Sequence, residues 1–289
     1  MRGALRHADE IPVTLVVALA YVTLAIVTEP FSPTEEKLDQ YGWLTPMLAA
    51  DGDWWRLLTS AFLHGGILHL VFNLSMLMSV GPALERSIGS VRFAVLYVVA
   101  ALGGNIGVCL LYTPQSPVVG GSGALFGMLG ALVAMNMRAG RHSFSFLDFE
   151  GPRRLLTLIA VNLGIGFLLP FVSNTAHLGG LAAGFAVTFL WLVPPRAPAR
   201  SLGSWRAATT ALFASLLFAS LVPVTRWDWL AYRAEDTADP ERRAALRRAA
   251  GLSFTGEPLP DGAEAEAVGR LVFERLEHQR EAQGLPRRR

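Results

Sequence analysis

Apolar residues in this chain run in long stretches broken by short polar segments, with none of the strict alternation of half-buried strands. A helix needs about 20 mostly apolar residues to cross the hydrocarbon core of a bilayer. Seven stretches reach that length, near 11–28, 60–81, 91–112, 118–137, 153–172, 175–193 and 205–225. The pattern predicts an all-α polytopic membrane protein. The first stretch lacks a convincing small-residue cleavage site and leads into an ordered-looking loop, so it reads as a span and not as a cleaved signal. The polar remainder divides into a short N-terminus (1–10), a long first loop (29–57), a linker from 196 to the seventh span, and a tail (226–289).

Composition agrees with this reading. Hydrophobic residues make up 52% of the 289 and charged residues only 17%, and about half of the charges fall in the tail, which reads as a small solvated appendage. A net charge of +2 is too small to suggest a nucleic-acid partner. The single cysteine, Cys109, rules out an intramolecular disulfide and a multi-cysteine metal site, and reads as a packed apolar side chain. Neither a cofactor nor a metal is implied, and no oligomeric state is specified.

Arginine placement sets an expected orientation. Arg2, Arg6, Arg86, Arg92, Arg138, Arg141, Arg153, Arg154, Arg196, Arg200 and Arg206 all fall on one side of the seven spans. The other side has Lys37 and Arg56, beside Glu29, Glu35, Glu36, Asp39, Asp51 and Asp53 of the first loop. The N-terminus is then cytoplasmic and the C-terminal tail extracytoplasmic. Tyr41, Trp43, Trp54 and Trp55 place the first loop partly at the headgroup level of the outer leaflet.

Ionisable groups inside a bilayer are costly, so each is a candidate functional residue. The apolar interiors hold no Asp, Glu or Lys, and Glu85 and Arg86 fall where the second span ends. Histidine remains: His64 and His69 in the second span, His177 at the start of the sixth. Followed from the outer ends, His69, Asn73, Ser122 and His177 share the outer half of the membrane. A serine hydroxyl is a weak nucleophile until a base takes its proton, and neutral histidine is the usual base. Acyl transfer also needs donors for the developing oxyanion. His69 and Asn73, four apart, project from one helix face, and the Ser122 amide near a helix start is a further donor. Gly121 and Gly123 let another backbone or a substrate strand approach Ser122 closely.

Each piece alone has a plainer reading. Glycines such as Gly123 and Gly127, or Gly180 and Gly184, are common helix-packing surfaces in membranes. A membrane serine more often bonds its own backbone than attacks anything, and a lone His64 reads as a structural hydrogen-bonding residue. It is the conjunction that points to a site.

At these residues the chain resembles the rhomboid family of intramembrane serine proteases. The matching pieces are Trp55-Arg56, His64-Gly-Gly-Ile-Leu-His69-Leu-Val-Phe-Asn73, Gly120-Gly121-Ser122-Gly123-Ala-Leu-Phe126-Gly127 and Ala176-His177-Leu-Gly-Gly180-Leu-Ala-Ala-Gly184. Their order and spacing agree over residues 11–195. The resemblance implies a six-helix core over 11–195 plus a seventh helix, in a bacterial inner (plasma) membrane. It implies Ser122 as nucleophile and His177 as general base, with His69, Asn73 and the Ser122 amide stabilising the oxyanion. Gly121, Gly123, Gly180, Gly184, His64 and Phe126 are supporting positions. Phe126 stands where many members have tyrosine; it can stack on His177 but has no hydroxyl to donate. The implied reaction is hydrolysis of peptide bonds in single-pass transmembrane proteins near the outer face. The alternative is an inactive relative that binds transmembrane clients without cutting them; a small-solute transporter would need repeats or buried carboxylates that the sequence lacks.

Overall fold

The computed structural model describes residues 11–50, 52–111, 117–138, 172–192 and 202–221, together with 160 and 164. The expected fifth span (153–172, apart from its last residue and positions 160 and 164), the N-terminus (1–10) and the tail (226–289) lie outside the described residues. All the described elements are helical: α1 (Pro12–Val27), α2 (Glu35–Gln40), α3 (Pro46–Ala50), α4 (Arg56–Thr59), a 3-10 turn (Ser60–Phe62), α5 (Ile67–Ile88), α6 (Ser90–Leu111), α7 (Ser122–Arg138), α8 (Asn174–Val187) and α9 (Leu202–Leu221). One isolated antiparallel bridge joins Leu44 to Val118. α5, α6, and α8 with its continuation to Leu192 are long and apolar enough to cross a membrane by length and composition; α1 is apolar but shorter. The chain is an all-α polytopic membrane protein.

The second span differs from its expected limits of 60–81. The chain turns at Gly65-Gly66, where Gly66 takes φ +134°, and α5 starts only at Ile67. It runs on to Ile88 and stops at Gly89, whose φ of +83° suits a helix exit that only glycine makes cheaply. Two residues change place as a result. His64 sits in the entry turn instead of the helix, and Glu85 lies inside the helix, fully buried. The Glu85 carboxylate accepts from Val13 N (2.9 Å), Thr14 N (2.8 Å) and Thr14 Oγ1 (2.7 Å). α1 begins at Pro12 without a side-chain cap of its own. A carboxylate from α5 therefore satisfies its free amides and complements the positive end of its dipole.

The first loop folds around one buried cation. Arg56 has no exposed surface; its Nη1 donates to Asp39 Oδ1 (3.0 Å), Asp39 O (3.1 Å) and Trp43 O (3.1 Å), and its Nε to Asp53 Oδ2 (3.1 Å). A buried guanidinium is tolerable only when it is paired and hydrogen-bonded, so these contacts fix α2, the turn at Trp43 and the start of α4 together. Phe31 and Trp54 point outward, as suits a loop at an interface.

α8 packs mainly on α7 and α6. The seam is built from glycine. A Cβ on Gly180 would overlap the Gly123 carbonyl, one on Gly184 the Gly127 carbonyl, and one on Gly103 the Ala183 side chain. In lipid, where tails are as apolar as leucine, close backbone packing of this kind is a main source of helix association. At its far end α8 continues as a π-helical turn, Thr188–Leu192, whose carbonyls at Phe189 and Leu190 accept from Arg138 and Arg206. On α9, Leu217 and Leu221 pack against a cluster that includes Leu44, Leu57, Val108 and Cys109.

Candidate active site

Ser122 opens α7, and the segment leading into it is held at Val118 and Gly120. Val118 exchanges two backbone bonds with Leu44 (2.8 and 2.9 Å), and Gly120 N donates to Ser60 O at 2.9 Å. Ser60 is itself held by α6, because Asn105 Nδ2 donates to Ser60 Oγ (3.0 Å) and to Leu57 O (2.8 Å). Gly120 has φ +120°, a conformation that would strain any residue with a side chain. As the first residue of α7, Ser122 has an amide with no intrahelical carbonyl to bond.

His177 is the fourth residue of α8. Its helix start is fixed by Ser173, whose hydroxyl accepts from Ala176 N (3.2 Å) and whose carbonyl accepts from His177 N (3.1 Å). The imidazole is buried, and its Nε2 lies 2.9 Å from Ser122 Oγ, 55 residues away in sequence. The hydroxyl can donate to Nε2 when the ring's proton is on Nδ1. Among the described residues Nδ1 has no hydrogen-bond partner. The ring is held by packing instead: Phe126, one turn into α7, stacks on it with centroids 4.1 Å apart and planes within 9°.

His69 and Asn73 face the same helix start from α5. His69 Nδ1 accepts from Gly65 N at 3.3 Å, which puts the proton of the neutral ring on Nε2. A Cβ on Gly120 would lie 2.7 Å from that Nε2 and 3.7 Å from Asn73 Nδ2. Asn73 is buried, and among the described residues its Nδ2 has no acceptor. Buried amide donors are nearly always paired, so an unpaired one beside the backbone that leads into Ser122 is a donor awaiting an acceptor. His64 is buried next to this group, its ring edge-on to Tyr21 (4.6 Å) and to His69 (5.3 Å).

The glycines around Ser122 meet different neighbours. Gly120 is covered by the His69 ring and Gly121 by the Tyr21 hydroxyl, so the Cα face of Gly121 is occupied by a side chain and not open to a strand. Gly123 faces Ala176 O and Gly104 Cα, with Gly180 beside it and Gly184 one turn deeper against Gly127. Tyr21, Tyr97, Ser60 and Asn105 were not picked out from the sequence. The available signal was polarity without charge: a tyrosine or asparagine within an apolar stretch needs a buried partner as much as a histidine does. No group of three or more His, Cys, Asp or Glu among the described residues could hold a metal.

The fold and this cluster define a class: a polytopic helical membrane protein with a serine–histidine pair at the start of two glycine-packed helices. The Rhomboid domain family model matches residues 51–194. The chain is 40% identical over 171 residues to RHOMBOID-like protein 5 of Arabidopsis thaliana, covering 58% of this chain and 52% of that one. It is 43% identical over 156 residues to the Rhomboid protease GluP of Bacillus subtilis (strain 168), covering 53% and 29% respectively. It is 36% identical over 141 residues to the putative rhomboid protease YdcA of the same organism, covering 49% of this chain and 69% of that protein. The chain belongs to the rhomboid family. It spans about half the length of the plant relative and less than a third of GluP.

Proposed function

We propose that this chain is an intramembrane serine endopeptidase working through a Ser122–His177 dyad. The observation that carries the reading is the 2.9 Å contact between His177 Nε2 and Ser122 Oγ, with the unpaired Asn73 amide close by. His177 takes the hydroxyl proton as Ser122 Oγ attacks the scissile carbonyl carbon. The carbonyl oxygen becomes an oxyanion that accepts from His69 Nε2, Asn73 Nδ2 and the Ser122 amide. Collapse of the tetrahedral species breaks the C–N bond, and the leaving nitrogen receives the proton from His177. Water then adds to the acyl-enzyme by the same route, releasing the acid and restoring the hydroxyl. With no acceptor for His177 Nδ1 among the described residues to raise its basicity, stacking on Phe126 has to hold the ring in place. A modest turnover is expected, since disabling the third triad member costs soluble enzymes about 10⁴.

In this reading the substrates are single-pass transmembrane proteins, cut near the outer face of a bacterial inner membrane, with the N-terminus of the enzyme cytoplasmic and its tail outside. A transmembrane helix hides its carbonyls in internal hydrogen bonds, so the substrate must unwind locally before attack. Glycine, proline or small residues near its outer end make that easier. The test is cleavage of reporters in proteoliposomes by the wild type, Ser122→Ala and His177→Ala. Cleavage that requires both side chains, and that prefers a Gly-containing span over a poly-Leu one, supports the proposal. Binding of the reporter without cleavage would instead identify a client-binding protein.

A further inference from the structure

Tyr21 is a buried hydroxyl bearer on α1, outside the segment that the family model matches, and it touches both halves of the site's floor. Its hydroxyl lies where a Cβ of Gly121 would be, directly behind the residue that precedes Ser122. Its ring packs edge-on against His64 at 4.6 Å, and His64 packs edge-on against His69 at 5.3 Å. The hydroxyl is itself fixed. Tyr97 on α6 donates to Ala61 O (3.3 Å), which commits its only proton, so Tyr21 is the donor in the 2.8 Å bond between the two hydroxyls. The order Ala61 carbonyl, Tyr97, Tyr21, Gly121 therefore ties the α6 core and the end of the first loop to the backbone beside the nucleophile.

We propose that Tyr21 is a positioning residue for the oxyanion-binding group, acting through Gly121 on the Ser122 amide and through His64 on His69. The proposal rests on the endopeptidase reading above. It differs from simple core packing in what it requires. The hydroxyl oxygen fills the one space that Gly121 leaves open, so its removal lets the Gly121–Ser122 peptide settle away from His69 and Asn73. An error of a fraction of an ångström in that amide weakens transition-state stabilisation while substrate binding is untouched, because the oxyanion exists only on the reaction path.

The experiment uses the full chain in proteoliposomes, with Tyr21→Phe, Tyr97→Phe, the double variant and Tyr41→Phe, an exposed first-loop tyrosine, as control. Tyr21→Phe should lower kcat about tenfold with KM within about twofold of the wild type. Tyr97→Phe should lower kcat less, and Tyr41→Phe not at all. The thermal unfolding midpoint should behave differently. Tyr97→Phe leaves the buried Tyr21 hydroxyl without its acceptor, whereas in Tyr21→Phe the Tyr97 hydroxyl keeps its bond to Ala61 O; the double variant removes the stranded hydroxyl, so it should unfold at a higher temperature than Tyr97→Phe alone. Its kcat should nonetheless stay at the Tyr21→Phe level. A double variant whose kcat recovers with its midpoint, or a Tyr21→Phe enzyme with wild-type kcat, overturns the proposal. A wild type that never cleaves overturns the endopeptidase reading instead. The midpoints still decide the pairing in that case, because additive shifts from the two tyrosines would contradict the bond on which the positioning depends.

Discussion

Along α7 the same residue type is used in two ways. At the start of the helix a Cβ on Gly120 or Gly121 would meet side chains, the His69 ring and the Tyr21 hydroxyl. About two to three turns further on, Gly127 and Gly130 meet backbone and small residues: Ala100, the Gly180 carbonyl and the Leu181 carbonyl. The first group makes room for polar groups that converge on Ser122. The second removes the space between helices altogether. A glycine-rich membrane helix is therefore not one packing surface, and what fills the missing Cβ position separates its site end from its structural end.

That contrast can be broken most severely at the structural end. Gly184→Leu drives a side chain into the Gly127 backbone, which cannot move aside without separating α7 from α8. Overpacking by repackable side chains costs about 1–3 kcal/mol, and a rigid backbone neighbour costs more. No monodisperse folded protein is expected on size-exclusion chromatography in detergent; a variant with wild-type elution and midpoint would show that the seam is loose.

At the site end the expected loss is in rate and not in folding. Asn73→Ala should lower kcat by about 10² to 10³, the usual cost of one oxyanion donor. Its unfolding midpoint should hold or rise, since the amide that it removes has no acceptor among the described residues. Steady-state cleavage alongside a thermal melt checks both halves. A parallel fall in rate and midpoint would move Asn73 to the structural class.

The motif histidines His64 and His69 and the pairing of Ser122 with His177 were foreseeable because each sits in a short motif with its own spacing. The limits of the second span were not. Residues 61–63 are apolar because the turn that they belong to is largely buried, and burial outside a membrane-spanning helix reads like the start of a span in a hydropathy pattern. The glycines at 65 and 66 carried the break, but in lipid glycine also marks packing, so the signal was divided. The sequence pattern places Glu85 at the edge of the span for the same reason. Its role as a cap for α1 depends on a contact between residues more than 70 positions apart. Tyr21 with Tyr97, and Arg56 with Asp39, are likewise long-range pairs with no local periodicity to reveal them.

Glu85→Ala sharpens the comparison from a third position, at the opposite end of the bundle from Ser122. It leaves the Val13 and Thr14 donors unpaired and should cost about 1–3 kcal/mol in stability. Turnover per folded molecule should not change, as chemical denaturation and active-site titration of the same preparation would show. The smallest effect expected is that of Phe126→Tyr. The ring stacks on His177 through its face, so the added hydroxyl should leave kcat within about threefold, given that the stacking contact is worth about 0.5–1.5 kcal/mol and is retained. A larger change would show that an edge hydrogen bond, and not the stack, sets the orientation of the imidazole.

The most direct test of the central claim is covalent. The full-length protein in detergent is incubated with a fluorophosphonate and the adduct is located by peptide mass spectrometry. A single phosphonyl group on Ser122, absent in Ser122→Ala and formed much more slowly in His177→Ala, is the expected result. An unlabelled wild type, or a label whose rate at Ser122 is indifferent to His177, would contradict a dyad at the start of α7 and α8.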